Sequence, residues 1–224
     1  MKIIRWIVAT GLRIGLEILC RIEKKELEKV PATGPLIIFS NHTGMVEVPI
    51  VFSELLPRPV TGLAKIESWD NWFLRIIFDL FHIIPIKRGD ADMEAMHSML
   101  RVLDEGFILG MSPEGTRNKS GALLKAYPGV VILALKSNSP LMPVAHWGGE
   151  DFRSNLKRLK RTDFHIRGGR LFQLDARGGK VTKEVRQQMV DEMMYQLAML
   201  LPPQYRGAYS DLVNATEKYL RFID

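Results

Sequence analysis

His42 and Glu47 are the two side chains of this sequence whose types and spacing best suit general acid–base chemistry. A histidine acting as a base needs a carboxylate on its far ring nitrogen, which holds one tautomer and stabilises the imidazolium that forms. On a continuous helix, residues five apart point about 140° from one another. The pair therefore requires His42 in a loop after a strand and Glu47 in the first turn of the next helix, with Gly44 letting the loop fold back. The alternative is a histidine bonded only to backbone groups at a strand end.

A second candidate site is the segment Pro113-Glu114-Gly115-Thr116-Arg117, which follows another apolar run. Gly115 permits close backbone approach, Thr116 offers a hydroxyl, and Arg117 presents a planar fork that fits phosphate or carboxylate. The pattern predicts an anion-binding loop, and a turn with a surface arginine is the alternative.

Two further segments carry weaker signals. Lys87 and Arg88 end an apolar run with two cations, which suits a phosphate but is also common at strand ends. The apolar residues within 140–144 suit either a lipid-binding pocket or the protein core. Neither segment identifies a function when taken alone.

Taken together and in order, these segments resemble the four motifs of the glycerolipid acyltransferases, whose best-known members are the 1-acyl-glycerol-3-phosphate acyltransferases. The matching residues are Asn41-His42 with Glu47, then Arg88-Gly89, then Pro113-Glu114-Gly115-Thr116-Arg117, then Met142-Pro143-Val144. The resemblance covers approximately residues 30–150. Two positions depart from the family pattern: Glu47 stands where the family usually has Asp, and Ser112 replaces an aromatic residue that is frequent before the proline.

The resemblance implies an enzyme that moves a fatty acyl group from acyl-CoA or an acyl-carrier protein to the hydroxyl of a lysophospholipid such as 1-acyl-glycerol-3-phosphate. It implies His42 as the general base and Glu47 as the residue that orients it. The implied substrate-binding residues are Asn41, Arg88, Glu114, Gly115, Thr116 and Arg117, and the implied acyl pocket is formed by Met142, Pro143 and Val144. It implies no cofactor and no metal ion. Because Glu47 is longer than Asp, another lysolipid or a glycolipid stays open as the acceptor.

Five short apolar runs predict the strands that position these residues: 36–40, 59–64, 83–86, 107–111 and 141–145. Unbroken runs of this length are typical of strands buried on both faces in a parallel sheet. Segments with helical character lie between them, at 48–56, 69–80, 92–104 and 123–136. This alternation predicts an α/β fold, a single domain with a mostly parallel sheet flanked by helices. In such sheets functional residues gather beyond the carboxyl ends of the strands, where both candidate loops lie.

Residues 1–29 predict an N-terminal amphipathic helical segment, separate from an acyltransferase domain over 30–224. Trp6 and its neighbour Arg5 suit an anchor at a membrane interface. A helix packed on its own domain is the alternative.

Two elements are predicted near the carboxyl terminus. Strands at 163–166 and 170–174 predict a closing hairpin through Gly168-Gly169. A terminal amphipathic helix is predicted over 183–200, with Thr182 as its N-cap.

The chain has 224 residues, a net charge of +6 and a single cysteine, Cys20. This composition predicts one domain that folds without disulfides in a reducing compartment. The longest stretch without Asp, Glu, Lys or Arg is 30–46, and its prolines and glycines do not suit a membrane-spanning helix. We therefore expect a cytoplasmic protein that associates peripherally with membranes, its positive charge facing an anionic membrane surface.

Other function classes fit the sequence less well. A serine hydrolase needs Gly-x-Ser-x-Gly, and residues 110–114 fail at the last position. The basic run 153–161 is compatible with nucleic acid or with an anionic membrane, and also with a merely solvated helix face. It lacks interleaved aromatic side chains, which disfavours nucleic acid as a partner. A non-catalytic lipid-binding protein of the same fold stays open.

Overall fold

The computed structural model describes residues 2–44, 46–87, 92–118 and 120–223. In this part of the chain, the strands are β1 (Cys20–Lys25), β2 (Leu36–Phe39), β3 (Val60–Lys65), β4 (Ile84–Ile86), β5 (Ile108–Met111), β6 (Leu141–Trp147), β7 (Thr162–Gly168), β8 (Phe172–Leu174) and β9 (Leu220–Phe222). The α-helices are α1 (Lys2–Leu19), α2 (Glu47–Glu54), α3 (Trp72–Leu80), α4 (Met93–Asp104), α5 (Gly129–Ser137), α6 (Phe152–Lys157) and α7 (Lys183–Leu200).

The strands form one sheet with the order β1-β7-β6-β2-β5-β3-β4, and β8 and β9 extend it from β6. The five strands from β6 to β4 run parallel to one another, whereas β7 runs antiparallel to β6. The predicted α/β fold, with its mostly parallel sheet and N-terminal helix, is confirmed. All five apolar runs of the sequence form strands, and burial is greatest at the centre of the sheet: every residue of β2 is buried, whereas the edge strand β4 exposes Pro85.

The central strand β2 is held on both of its faces. Leu36 and Ile38 pack in a layer with buried residues of α1 and α2. Ile37 and Phe39 point the other way and pack with α4, α5 and α7. The strand that leads into the His42 loop is therefore a rigid support.

The prediction of a helix through residue 29 is wrong. The helix α1 ends at Leu19, where the Arg161 guanidinium donates to the carbonyl oxygens of Glu17 and Cys20 and so satisfies the helix end. The next residues form β1 at the edge of the sheet, with buried Cys20 followed by exposed Arg21. Their charges suit an edge strand, since charged side chains protect such an edge from pairing with other chains.

The predicted hairpin between β7 and β8 is also wrong, because both strands lie along the same edge of β6. Between them the backbone N–H of Gly169 donates to the carbonyl oxygen of Pro143 at 2.8 Å, so the chain continues along β6 and does not turn back. A Cβ on Gly169 would lie 2.5 Å from Cγ of Pro143, and glycine alone permits this approach.

The helix predicted over 123–136 begins later, at Gly129. The backbone of Leu123 bonds instead to Tyr205 and Ala208, which removes it from any helical hydrogen-bonding pattern. The helix α7 is confirmed, and the side chain of Thr182 accepts a hydrogen bond from the Val185 N–H as its N-cap.

Candidate active site

The two candidate loops lie side by side because they leave the carboxyl ends of the neighbouring strands β2 and β5. The backbone N–H of Ser40 donates to the carbonyl oxygen of Met111 at 3.0 Å. The N–H of Asn118 then donates to the carbonyl oxygen of His42 at 2.8 Å. The loop that carries Arg117 is thereby joined to the loop that carries His42.

His42 and Glu47 form a hydrogen-bonded pair with 2.8 Å between Nδ1 and Oε1. His42 lies in the loop after β2 and Glu47 is the first residue of α2, as the five-residue spacing requires. The same Oε1 accepts backbone N–H bonds from Gly44 at 2.7 Å and Thr43 at 3.2 Å. Because a carboxylate only accepts, Nδ1 of His42 carries the proton and Nε2 keeps its lone pair. This is the tautomer that a general base needs.

Glu47 is 3% exposed, so its charge depends on these partners. Burial by itself raises the pKa of the Glu47 carboxyl. The hydrogen bond from the His42 ring, the electrostatic effect of the nearby His146 and the backbone N–H of Gly44 together outweigh burial and bring the pKa from 4.5 to about 2. Glu47 is therefore ionised at neutral pH.

This low pKa predicts a specific loss of stability in acid. Because the folded-state pKa lies below the unfolded value, the stabilisation is complete above about pH 4.5 and disappears as the pH falls towards 2. At about 1.4 kcal/mol for each pKa unit, this group contributes about 3 kcal/mol to the free energy of unfolding. Urea denaturation of the protein and of Glu47→Gln at pH values between about 6 and about 2 measures the difference. Parallel loss of stability in both proteins would contradict the prediction.

Arg117 contacts the other ring nitrogen of His42, with its Nε–H donating to Nε2 at 3.3 Å. Arg117 and the two residues before it, Gly115 and Thr116, are exposed to solvent. Gly115 has a φ of +65°, which glycine adopts without strain. The loop thus presents a guanidinium beside the unprotonated nitrogen of His42.

Glu114 is buried, in contrast to the residues that follow it. One carboxylate oxygen accepts from the backbone N–H of His42 at 3.3 Å, and the other accepts from the N–H of Leu124 at 2.9 Å. Burial raises the pKa of Glu114, while these two bonds lower it. The side chain braces the His42 loop against the segment at 124, and a contact of Glu114 with the substrate stays a prediction.

Asn41 is also turned inward, and it is paired with His146, a residue to which the sequence analysis gave no role. The Asn41 amide group donates to the His146 carbonyl oxygen at 2.8 Å and accepts from its backbone N–H at 3.1 Å. Nε2 of His146 donates to the Asn41 carbonyl oxygen at 2.7 Å. Both amide atoms of Asn41 bond to His146 inside the protein, and these bonds fix the backbone directly before His42. A contact of Asn41 with substrate stays a prediction.

His146 is fully buried, and burial lowers its pKa more than the nearby Glu47 carboxylate raises it. It stacks on Phe164, with 5.7 Å between the ring centres. Its place near the carboxyl end of the apolar run 141–145 is the signal that could have revealed it, since the same criterion singles out His42.

Two other groups of predicted site residues have different outcomes. Arg88 lies outside the described residues. Met142 and Val144 are fully buried in the layer beneath α1 and α2, and Pro143 pairs with Phe39 inside the sheet. These three residues are core residues here, and their role as an acyl pocket stays a prediction.

Comparison with known proteins gives a consistent result. A profile of the acyltransferase family matches residues 21–147. The chain is 27% identical over 152 residues to a 1-acyl-sn-glycerol-3-phosphate acyltransferase of Bacillus subtilis (strain 168), covering 68% of this chain and 75% of that protein. It is 32% identical over 151 residues to 1-acyl-sn-glycerol-3-phosphate acyltransferase alpha of Mus musculus, covering 62% of this chain and 49% of that protein. The chain therefore spans about half the length of the mouse relative.

The fold has a counterpart among solved structures. The crystal structure of the 1-acyl-sn-glycerophosphate (LPA) acyltransferase from Thermotoga maritima matches with a TM-score of 0.66 and 16% sequence identity. The match covers 88% of this chain and 79% of that chain. At this identity the likeness establishes a shared fold.

Proposed function

This chain belongs to the acyltransferase family, and from that premise we propose that it transfers a fatty acyl group from an acyl thioester to the free hydroxyl of a lysophospholipid. The first candidate acceptor is 1-acyl-glycerol-3-phosphate, the substrate class named for the relatives in Bacillus subtilis and Mus musculus. The observation that carries the proposal is the His42–Glu47 pair, with Nε2 of His42 facing an exposed loop that ends in a guanidinium.

In the proposed reaction, Nε2 of His42 takes the proton of the acceptor hydroxyl while its oxygen attacks the carbonyl carbon of the thioester. Glu47 holds the ring and stabilises the imidazolium that forms. The tetrahedral intermediate collapses, the carbon–sulfur bond breaks, and the thiolate receives the proton from His42. The products are an ester and a free thiol, so no further reactant or cofactor is needed.

The oxyanion of that intermediate requires hydrogen-bond donors. The backbone N–H groups of Thr43 and Gly44 already donate to Glu47, and that of His42 donates to Glu114. The amides of His42, Thr43 and Gly44 are therefore engaged in holding the pair together, and the oxyanion needs donors other than these three.

Arg117 supports a phosphate on the acceptor. Its planar fork can hold two phosphate oxygens, which favours an acceptor whose hydroxyl lies within a few bonds of a phosphate. Among the described residues no carboxylate lies within ion-pair distance of Arg117, so its charge is available to a ligand.

The direct test is an acyl-transfer assay with the purified chain and two labelled donors, acyl-CoA and acyl-carrier protein. The acceptors are 1-acyl-glycerol-3-phosphate, lysophospholipids with larger head groups, a 1-acylglycerol and a glycolipid. We expect labelled diacyl product with a phosphate-bearing acceptor. Binding of lipid without transfer from either donor to any acceptor would identify a non-catalytic lipid-binding protein and overturn the proposal.

We also propose that α1 and α3 lie against the membrane that holds the substrates. On α1, Trp6, Ile14 and Ile18 each expose more than half of their surface, and no residue of α3 is buried. Trp72 of α3 is 74% exposed. An apolar helix face with an aromatic residue is typical of a helix lying in the membrane interface.

The two helices adjoin on one side of the sheet. A right-handed crossover from β3 to β4 places α3 on the side that carries α1 and α2. The Arg5 guanidinium of α1 lies 5.5 Å from the ring centre of Phe81, the residue that follows α3. In the described part of the chain, no helix is both long enough and apolar enough to cross a bilayer. A contact in the plane of the membrane is consistent with that finding.

Glutamates placed on these helices should weaken membrane binding. The first double variant combines Ile14→Glu with Ile18→Glu, and the second combines Trp72→Glu with Ile76→Glu. We expect each to lower the fraction of protein that sediments with vesicles of mixed neutral and anionic phospholipid, because a charge replaces an apolar contact. Val213→Glu is the matched control, because Val213 is 93% exposed near the opposite helix α7. Unchanged sedimentation of both double variants would contradict the membrane contact. Equal binding to purely neutral vesicles would remove the electrostatic part.

A further inference from the structure

We propose that Arg117 acts as a latch on His42: it occupies the basic ring nitrogen until the phosphate of the acceptor draws the guanidinium away. The inference rests on the proposed function and deepens it, because it explains how the enzyme keeps its base from reacting with water.

The latch follows from the hydrogen bonds on the His42 ring. Nδ1 donates to Glu47, so Nε2 has the remaining lone pair, and Arg117 Nε–H occupies it at 3.3 Å. An attacking hydroxyl must come within hydrogen-bond distance of the same lone pair for its proton to be taken. One lone pair accepts one good hydrogen bond, so the arginine and the substrate hydroxyl compete for it. Acyl transfer therefore requires the Arg117 side chain to turn away.

The surroundings of Arg117 permit this movement. Its side chain is exposed, and so are the neighbouring Gly115 and Thr116. The loop backbone is held on both sides, by the Tyr127 N–H bonded to the Pro113 carbonyl oxygen at 2.9 Å and by the Asn118 N–H bonded to His42. The guanidinium can reorient by side-chain rotation while the loop stays in place.

A phosphate supplies the difference in free energy that the movement needs. A ligand shifts a conformational equilibrium only through its different affinity for the two states. A guanidinium can make two parallel hydrogen bonds to a phosphate, each between opposite charges, whereas Arg117 makes one hydrogen bond to the uncharged ring nitrogen of His42. An acceptor with a phosphate therefore opens the latch, and an acceptor without one leaves it closed.

The latch also protects the donor thioester. If water took the place of the acceptor, His42 would accept a proton of that water, the hydroxide oxygen would bond to the acyl carbon, and the thiolate would leave. The products would be a fatty acid and a free thiol. While Arg117 holds Nε2, water has no free base to use.

The first test measures hydrolysis of acyl-CoA without any acceptor. We expect Arg117→Ala to raise this hydrolysis by about tenfold or more, within the range of general-base assistance, while it raises the KM for 1-acyl-glycerol-3-phosphate. The double variant His42→Ala with Arg117→Ala should lose the extra hydrolysis, since it depends on the base. Arg101→Ala, an exposed arginine of α4, is the matched control and should change neither quantity. A higher KM with unchanged hydrolysis would mean that Arg117 only binds phosphate, and the latch would be overturned.

The second test supplies the acceptor hydroxyl and the phosphate as two separate molecules. With a 1-acylglycerol as acceptor, added inorganic phosphate should raise the acyl-transfer rate of the unaltered protein, because free phosphate opens the latch. Arg117→Ala should transfer to the 1-acylglycerol faster than the unaltered protein and should not respond to phosphate. Absence of a phosphate response, with intact transfer to the complete lysophospholipid, would overturn the latch alone. Absence of transfer to every acceptor would overturn the proposed function itself.

Discussion

Replacement of His42 by alanine is expected to lower the rate of acyl transfer by about 10²- to 10⁴-fold, the usual contribution of a positioned general base. The reason is the unprotonated Nε2 of His42, which faces the exposed Arg117 and, in the proposed reaction, takes the proton of the acceptor hydroxyl. The fold should persist, since His42 is a loop residue with a partly exposed side chain. Initial rates with labelled acyl-CoA, together with circular dichroism, measure the two effects separately.

His97→Ala is the matched control for this variant, because His97 lies exposed on α4 and takes no part in the site. It should leave the rate unchanged. If His42→Ala retained most of its turnover, another group would be the base, and both the dyad assignment and the latch on it would fail.

Replacement of Glu47 by glutamine is expected to lower the rate of acyl transfer by as much as about 10⁴-fold. This is the size of effect seen when the carboxylate that orients a catalytic histidine becomes an amide. A carboxylate can only accept, which keeps the proton on Nδ1 of His42. A glutamine amide can instead donate to Nδ1, and the proton then moves to Nε2, where it blocks the base. The charge that stabilises the imidazolium is lost as well.

The aspartate variant tests whether the position of the carboxylate matters as well as its charge. Glu47→Asp keeps the negative charge but withdraws the carboxylate by one methylene from His42, Thr43 and Gly44, all of which bond to Oε1. A misplacement of about 1 Å is enough for a loss of up to about 10²-fold, so an intermediate rate is expected. Glu28→Gln, at an exposed position, is the control and should have no effect. Equal rates for Glu47→Gln and the unaltered protein would show that the carboxylate does not orient the base.

Local sequence signals predicted much of the fold and of the dyad. Short apolar runs indicate strands, so the strands from β2 to β6 followed from the sequence, and the central strand β2 is buried along its whole length. The spacing of His42 and Glu47 required one residue in the loop and the other on the first turn of α2. Both inferences involve only residues that are close in the chain, and such signals are present in the sequence itself.

Other features depended on partners far along the chain. The strand β1 was mistaken for helix because the edge that it extends is formed by β7, more than a hundred residues later. The hairpin was predicted because Gly168-Gly169 suits a turn, whereas contact with Pro143 of β6 keeps the chain on one edge. The spacing of residues in the sequence contains no information on which strand of the sheet has an edge available for pairing.

The sequence by itself determined the α/β class, the family and the residue types at the site, because composition and ordered motifs record which chemistry is present. Only the tertiary structure decided what each side chain does there. It turned Asn41 inward onto His146, which lies 105 residues away, and it buried Met142 and Val144 in the core. It also brought Arg117 to Nε2 of His42 across 75 residues of chain. Contacts of this kind arise when the parallel strands β2, β5 and β6 align their carboxyl ends, and that alignment is a property of the packed sheet.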